Sequence, residues 1–184
     1  TKRIRRKSIP IRDIRTPSIF AGDLFRAAYE PTLQIWSAAI PDIVQQYERT
    51  LAESTMDSPA DIEGEFRKAE NTFSLLSMTI TPRIERIILR VESWWRGKWR
   101  GAVLSATSVD IGTMIGPADV RQTLQSTIAW NVSLVKDVSA EARRRMSAII
   151  FDGLRSNKPA REVAKELRGV VDLGRARSVR IASD

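Results

Sequence analysis

Apolar residues recur every three or four positions along most of the chain, the spacing that lines one face of an α-helix. The clearest stripe follows Pro117. There Val120, Leu124, Ile128, Val132 and Val135 predict a helix over 117–138. A second stripe, Ala142, Met146, Ile149, Ile150 and Leu154, predicts a helix over 139–155. A third, short helix opens at Pro159, a favourable first helical position, and carries Val163, Ala164 and Leu167. A fourth follows Asp172, a residue suited to an N-cap, and repeats arginine at 175, 177 and 180.

The upstream part has the same period with more punctuation. Gly22, Pro31 and Pro41 divide it into expected helices over 22–30, 32–39 and 41–54, the last lined by Ile40, Ile43, Val44, Tyr47 and Leu51. A loop is expected over 54–58. Ser58-Pro59-Ala60-Asp61 then reads as a helix start, with a cap, a proline and an acid in the first turn. Ile62, Phe66, Ala69, Phe73 and Leu76 make its stripe. Thr81-Pro82 opens another expected helix bearing Ile84, Ile87, Ile88, Val91 and Trp95, so the two together predict an antiparallel hairpin. Residues 105–117, small, polar and glycine-containing, form the best boundary. The expected organisation is an arm over 1–18, a helical region over 19–104 and a second over 117–184. The fold class is mainly α: elongated helical hairpins or a bundle, with an extended basic N-terminal arm.

Charge sharpens the picture of the arm. The 184 residues carry a net charge of +8, yet residues 1–16 alone hold seven bases (Lys2, Arg3, Arg5, Arg6, Lys7, Arg12, Arg15) against Asp13. The remainder is close to neutral. Pro10 and Pro17 and the lack of a helical stripe predict an extended or disordered arm. Its isoleucines at 4, 9, 11, 14 and 19 suit contact with a partner while the bases meet phosphates or acidic side chains; a flexible basic terminus is the plainer alternative. Such a segment can also add as a strand to another protein's sheet.

A second basic cluster ends the central helix. Trp94, Trp95 and Trp99 stand among Arg90, Arg96, Lys98 and Arg100. Tryptophan interleaved with bases can stack nucleobases, sit at a membrane interface or anchor a protein interface. It also serves simply to pack where helices meet. Among the binding roles a protein interface fits best, because one cluster is too short to track a strand. Gly97 and Gly101 allow a backbone to approach or end the helix.

Composition limits the chemistry. With no histidine and no cysteine, imidazole bases, thiol nucleophiles, disulfides and the usual zinc sites are excluded. The acids Asp110, Asp119, Asp137 and Asp152 stand singly, without the pairing that seats catalytic metals. Glu162 and Glu166 lie one turn apart among Arg161, Lys165 and Arg168, as on a salt-bridged surface. Arg143-Arg144-Arg145 can touch phosphate, but such a triplet more often forms one exposed face with one member lying over apolar neighbours. No enzymatic activity, cofactor or metal is expected. No apolar run reaches the ~18 residues of a membrane span.

The order of motifs in the last third carries a resemblance. Trp130-Asn131, then Leu134-Val135 and Val138, a helix ending near Gly153-Leu154, the short PAREVAKEL helix and the closing run Arg175-Ala176-Arg177-Ser178-Val179-Arg180-Ile181-Ala182-Ser183-Asp184 follow one another. This order resembles the phage minor head protein family, the head morphogenesis proteins of the phage Mu F type. Ser108 to Gly112 sits where that family often has a short connector. The chain departs from the family at Ser183, usually arginine there, and at Asn157-Lys158-Pro159, where a Gly-Ser pair usually enters the short helix.

The resemblance implies a minor structural protein of a tailed-phage head, located in the virion near the portal vertex and supporting head assembly and DNA retention or ejection. Its implied partners are the portal ring, other head or neck proteins and packaged DNA, met through phosphates without base readout. The arm, the tryptophan cluster and Arg175, Arg177 and Arg180 are the candidate contacts. Two other readings stay open. One is a free helical DNA-binding protein, a regulator or an architectural factor, for which Gln122, Gln125 and Asn131 are the available base readers. The other is a cytosolic helical adaptor.

Overall fold

The computed structural model describes residues 11, 13–53, 59–113 and 117–183, and among them there is helix and no strand. The first rod joins α1 (Ser18–Leu24), a π-helical turn (Phe25–Tyr29) and α2 (Glu30–Ala52) without a break. Helix α3 spans Pro59–Thr107, α4 spans Pro117–Ser156 and α5 spans Ala160–Ser183. The mainly α expectation holds, but the helices are fewer and longer than the sequence punctuation suggests. The loop expected over 54–58, Ser58 as a cap, and arm residues 1–10 and 12 lie outside the described residues.

Prolines account for the largest corrections. The separate helices expected over 22–30, 32–39 and 41–54 are one rod, and the hairpin expected at Thr81–Pro82 is absent because α3 runs through it. A proline inside a helix removes one N–H and crowds the carbonyl of the preceding turn. Before Pro31 the chain widens into the π turn, where the Glu30 N–H reaches the Phe25 carbonyl. Thr32 Oγ1 donates to the Ala28 carbonyl at 2.8 Å in the same turn. Pro41 and Pro82 take a different route. Both are exposed, as are Ser37 and Met78 four residues before them, so the carbonyls left without a main-chain donor lie on the solvent side.

The same holds further along. The helices expected over 117–138 and 139–155 are one, because Ser139 lies buried in the middle of α4 and accepts a hydrogen bond from Trp36 Nε1 at 2.9 Å. The short helix from Pro159 and the one after Asp172 also merge. Val170 and Val171 are buried at the join, and Asp172 is an exposed residue within α5 rather than a cap.

The real turn between α4 and α5 is sharp. Asn157 takes a left-handed conformation (φ 49°), the Lys158 N–H bonds the Gly153 carbonyl at 2.9 Å and the Asn157 N–H reaches the Leu154 carbonyl at 3.4 Å. This is a Schellman end, with asparagine in place of the usual glycine. Tyr47 Oη ties the turn to α2 by donating to the Lys158 carbonyl at 2.6 Å.

The helices pack around one core. Trp36, Tyr29, Tyr47, Leu33 and Ile43 from the first rod meet Phe66, Ile80 and Ile84 from α3, Val135, Met146 and Ile150 from α4, and Leu167 from α5. Both stretches flanking 105–117 therefore contribute to the same buried cluster. Helix α2 touches α3, α4 and α5, whereas α3 and α5 do not meet among the described residues. The cross-section is a rhombus with α2 and α4 on its short diagonal.

The core does not extend along the full length. Between Leu89 and Leu134, Val103 is the only buried residue among those described. The first turns of α4 still pack on the core through the half-buried Leu124, Ile128 and Val132, whereas Trp99 and Leu104 near the end of α3, Val109 after it and Trp130 on α4 are exposed.

Candidate functional site

Of the basic arm, Lys2, Arg3, Arg5, Arg6, Lys7 and Arg12 lie outside the described residues. Arg15 is placed, and its Nε meets Asp13 at 3.2 Å in open solvent. Next to it the chain is fastened, because Trp95 Nε1 donates to Thr16 Oγ1 at 3.1 Å. The segment carrying the arm therefore meets the body at the tryptophan cluster, although 79 residues separate the two in sequence.

The cluster itself divides into packing and display. Trp94 packs edge-on against Phe20 of α1, with ring centres 6.2 Å apart, and against Trp95 at 5.6 Å. The Arg90 guanidinium lies 5.6 Å from the centre of the Phe20 ring and pairs with Asp23 at 3.2 Å; Lys98 lies over Trp94 at 5.9 Å. Asp23 also binds Arg26 at 2.7 Å, so one carboxylate gathers two arginines where α1 crosses α3. Trp94 and Trp95 thus dock α1 onto α3, while Trp99 stands exposed further along.

The bases beside them are mostly engaged within the chain. Arg96 pairs with Glu92, and Arg100 reaches both oxygens of Asp110 across the turn after α3. The Arg100 guanidinium, followed by the Gly112 N–H, holds the Asp110 carboxyl below its usual range. Gly97 and Gly101 do not end the helix, and among the described residues no atom outside the helix's own neighbouring backbone lies within 4 Å of where their β-carbons would sit.

The arginines of α5 separate by helix geometry. Arg175 turns toward α2 and meets Glu30 at 3.5 Å. Arg177 and Arg180 face the other way, over a groove between α4 and α5 into which Arg145 and Glu141 of α4 also project.

The arginine triplet at 143–145 does not act as one face. Arg143 bridges to α3, meeting Glu63 at 2.6 Å and Glu70 at 2.8 Å. Arg144 and Arg145 both bind Glu141. The hydrogen bond from Arg144, then that from Arg145, holds the Glu141 carboxyl down to about 2, from an ordinary 4.5. Glu141 and Leu173 do not stand out in the sequence as candidate contacts, and Arg145 does so only as one of the arginine triplet. The signal it does hold is the i,i+3 and i,i+4 spacing of Glu141 to Arg144 and Arg145.

A pH dependence follows from the depressed carboxyl. The stabilisation from this cluster is complete above about pH 4.5 and is lost as pH falls through about 2. Solvent screening keeps its size under about 1 kcal/mol. A carboxyl-detected NMR titration is expected to show Glu141 titrating near 2. Glu141→Gln is expected to remove this share of the acid sensitivity; an ordinary midpoint for Glu141 would show that the arginines do not hold it.

Among the described residues no three acidic, histidine or cysteine side chains converge to hold a metal ion, and no helix is long and apolar enough to cross a membrane. Comparison with family models, with curated proteins and with solved structures finds no match.

Proposed function

We propose that this chain is a structural component of a tailed-phage head, seated near the portal vertex, with its basic arm on DNA phosphate or on an acidic protein surface. The observation that carries the reading is where the resembling motifs fall. The run from Trp130 to Ser183 occupies one structural unit, the α4–α5 hairpin closed by the Asn157 turn. Within the closing run Ser178 is buried, while Arg177 and Arg180 are exposed. Such a segment serves the fold on one side and is open to partners on the other. The arm leaves the body beside the exposed end of α3, which suits a protein that rests on a ring and reaches toward nucleic acid.

The test is quantitative mass spectrometry of purified DNA-filled particles and of their precursor heads. A few copies per particle, retained after washing, are expected. Absence from both would overturn the reading. Removal of residues 1–16 resolves the role of the arm. If it lies on DNA, the slope of log affinity against log salt becomes shallower by about 0.9 for each phosphate that the arm had neutralised. An unchanged affinity at low salt would remove DNA from the arm's partners.

A further inference from the structure

Helices α4 and α5 leave an open groove of about 500 Å³ between them. Val138 of α4 and Val170, Leu173 and Ile181 of α5 give it an apolar lining. Leu173 is 60% exposed, a large apolar side chain left at the surface in the middle of α5. The rim is basic. Arg177 and Arg180 stand about one turn apart and form no ion pair among the described residues. The carboxylate in the groove, Glu141, is already bound by Arg144 and Arg145.

We infer that this groove binds an acidic amphipathic helix of a partner protein. The partner's apolar residues, spaced i and i+4, cover Leu173 and the half-buried Ile181, above the buried Val138 and Val170 that form the floor, and its flanking glutamates or aspartates pair with Arg177 and Arg180. Charge complementarity selects the occupant. The chain's own N-terminal arm is strongly basic and is repelled by the rim. A nucleic-acid backbone would satisfy the arginines, but it has no apolar side to cover Leu173. The volume lies within the roughly 300–1,000 Å³ range of sites that enclose ligands of a few side chains' size. This inference stands on the groove alone and does not depend on the virion reading.

Fluorescence anisotropy with the full chain tests it. The probe is a labelled helical peptide with leucines along one face and glutamates beside them, compared with a leucine–lysine peptide, polyglutamate and duplex DNA. The leucine–glutamate peptide is expected to bind at low salt and the leucine–lysine peptide is not. Arg177→Glu combined with Arg180→Glu is expected to weaken the first by about tenfold or more and to confer binding of the second. Arg177→Gln with Arg180→Gln gives the loss without the gain, and Leu173→Glu weakens binding comparably. Circular dichroism checks that each variant keeps its helix content, and the neutral pair serves if the charge reversals do not fold. Three results would overturn the inference: leucine–glutamate binding unaffected by any of these changes, polyglutamate binding as tightly as the amphipathic peptide, or DNA binding that needs Arg177 and Arg180 but is indifferent to Leu173.

Discussion

Trp36→Ala is expected to lower stability by about 3–5 kcal/mol, the range for removing a large aromatic side chain from a packed core. The indole is fully buried and packs at 6.3 Å, ring centre to ring centre, against Phe66 of α3. It also donates to Ser139 Oγ of α4 at 2.9 Å, so one side chain joins three helices. Truncation leaves a cavity and a buried hydroxyl without its donor, and the two penalties add. Urea unfolding followed by circular dichroism measures the change. The midpoint should fall with little change in slope, as for a stability loss that leaves the unfolded state alone. The double variant Trp36→Phe with Ser139→Ala should recover much of the loss by keeping apolar volume and removing the orphaned hydroxyl. A loss below about 1 kcal/mol in Trp36→Ala would mean the indole is not packed between the helices.

Gly153→Val is expected to cost about 3 kcal/mol, the upper end for forcing volume into a filled core. Gly153 is buried where α2, α4 and α5 meet. A β-carbon there would lie 2.8 Å from Tyr47 Oη and 3.0 Å from Val163 Cγ2. Neither neighbour can withdraw cheaply. Tyr47 is fixed by its bond to the Lys158 carbonyl, and Val163 is fully buried. Parting the helices would also disturb the Schellman turn, since the Gly153 carbonyl accepts the Lys158 N–H. Gly97→Ala is the control. Among the described residues its β-carbon meets no neighbour within 4 Å beyond the helix's own backbone, so the change should add roughly 0.5–1 kcal/mol through lower backbone entropy in the unfolded chain. Thermal melts of both variants separate steric cost from helix propensity. Equal effects in the two would show that Gly153 is not a point of close approach.

The helical character was legible because one apolar stripe is a local property. The number of helices was not, because a proline signals a helix start or an interior position by the same residue. The phase of the stripe held the answer. Leu33, Trp36, Ile40, Ile43 and Tyr47 keep alternating steps of three and four across Pro41, and Phe66, Ala69, Phe73, Leu76 and Ile80 lead in the same phase to Ile84 and Ile87 across Pro82. Two independent helices would have no reason to stay in register through a break. The candidate site was legible only in part. Trp94 and Trp95 stood out by type, but their partners Phe20 and Thr16 lie more than 70 residues away in sequence, and no local pattern names them. Arg143 likewise looks like its two arginine neighbours until Glu63 and Glu70, 80 and 73 residues earlier, are brought beside it.

Helix α3 is 49 residues long, about 70 Å, yet its core-facing anchors are concentrated before Leu89. Beyond that point it is held by α4, by α1 through Phe20 and Trp94, and by the Arg100–Asp110 bridge. Opening of its last turns beyond Trp95, where Val103 is the one buried residue among those described, exposes little apolar surface, so it can proceed without disturbing Trp36 or Met146. Two tiers of amide protection are therefore expected: slow exchange requiring global unfolding around the core, and faster exchange through local opening of the last turns of α3.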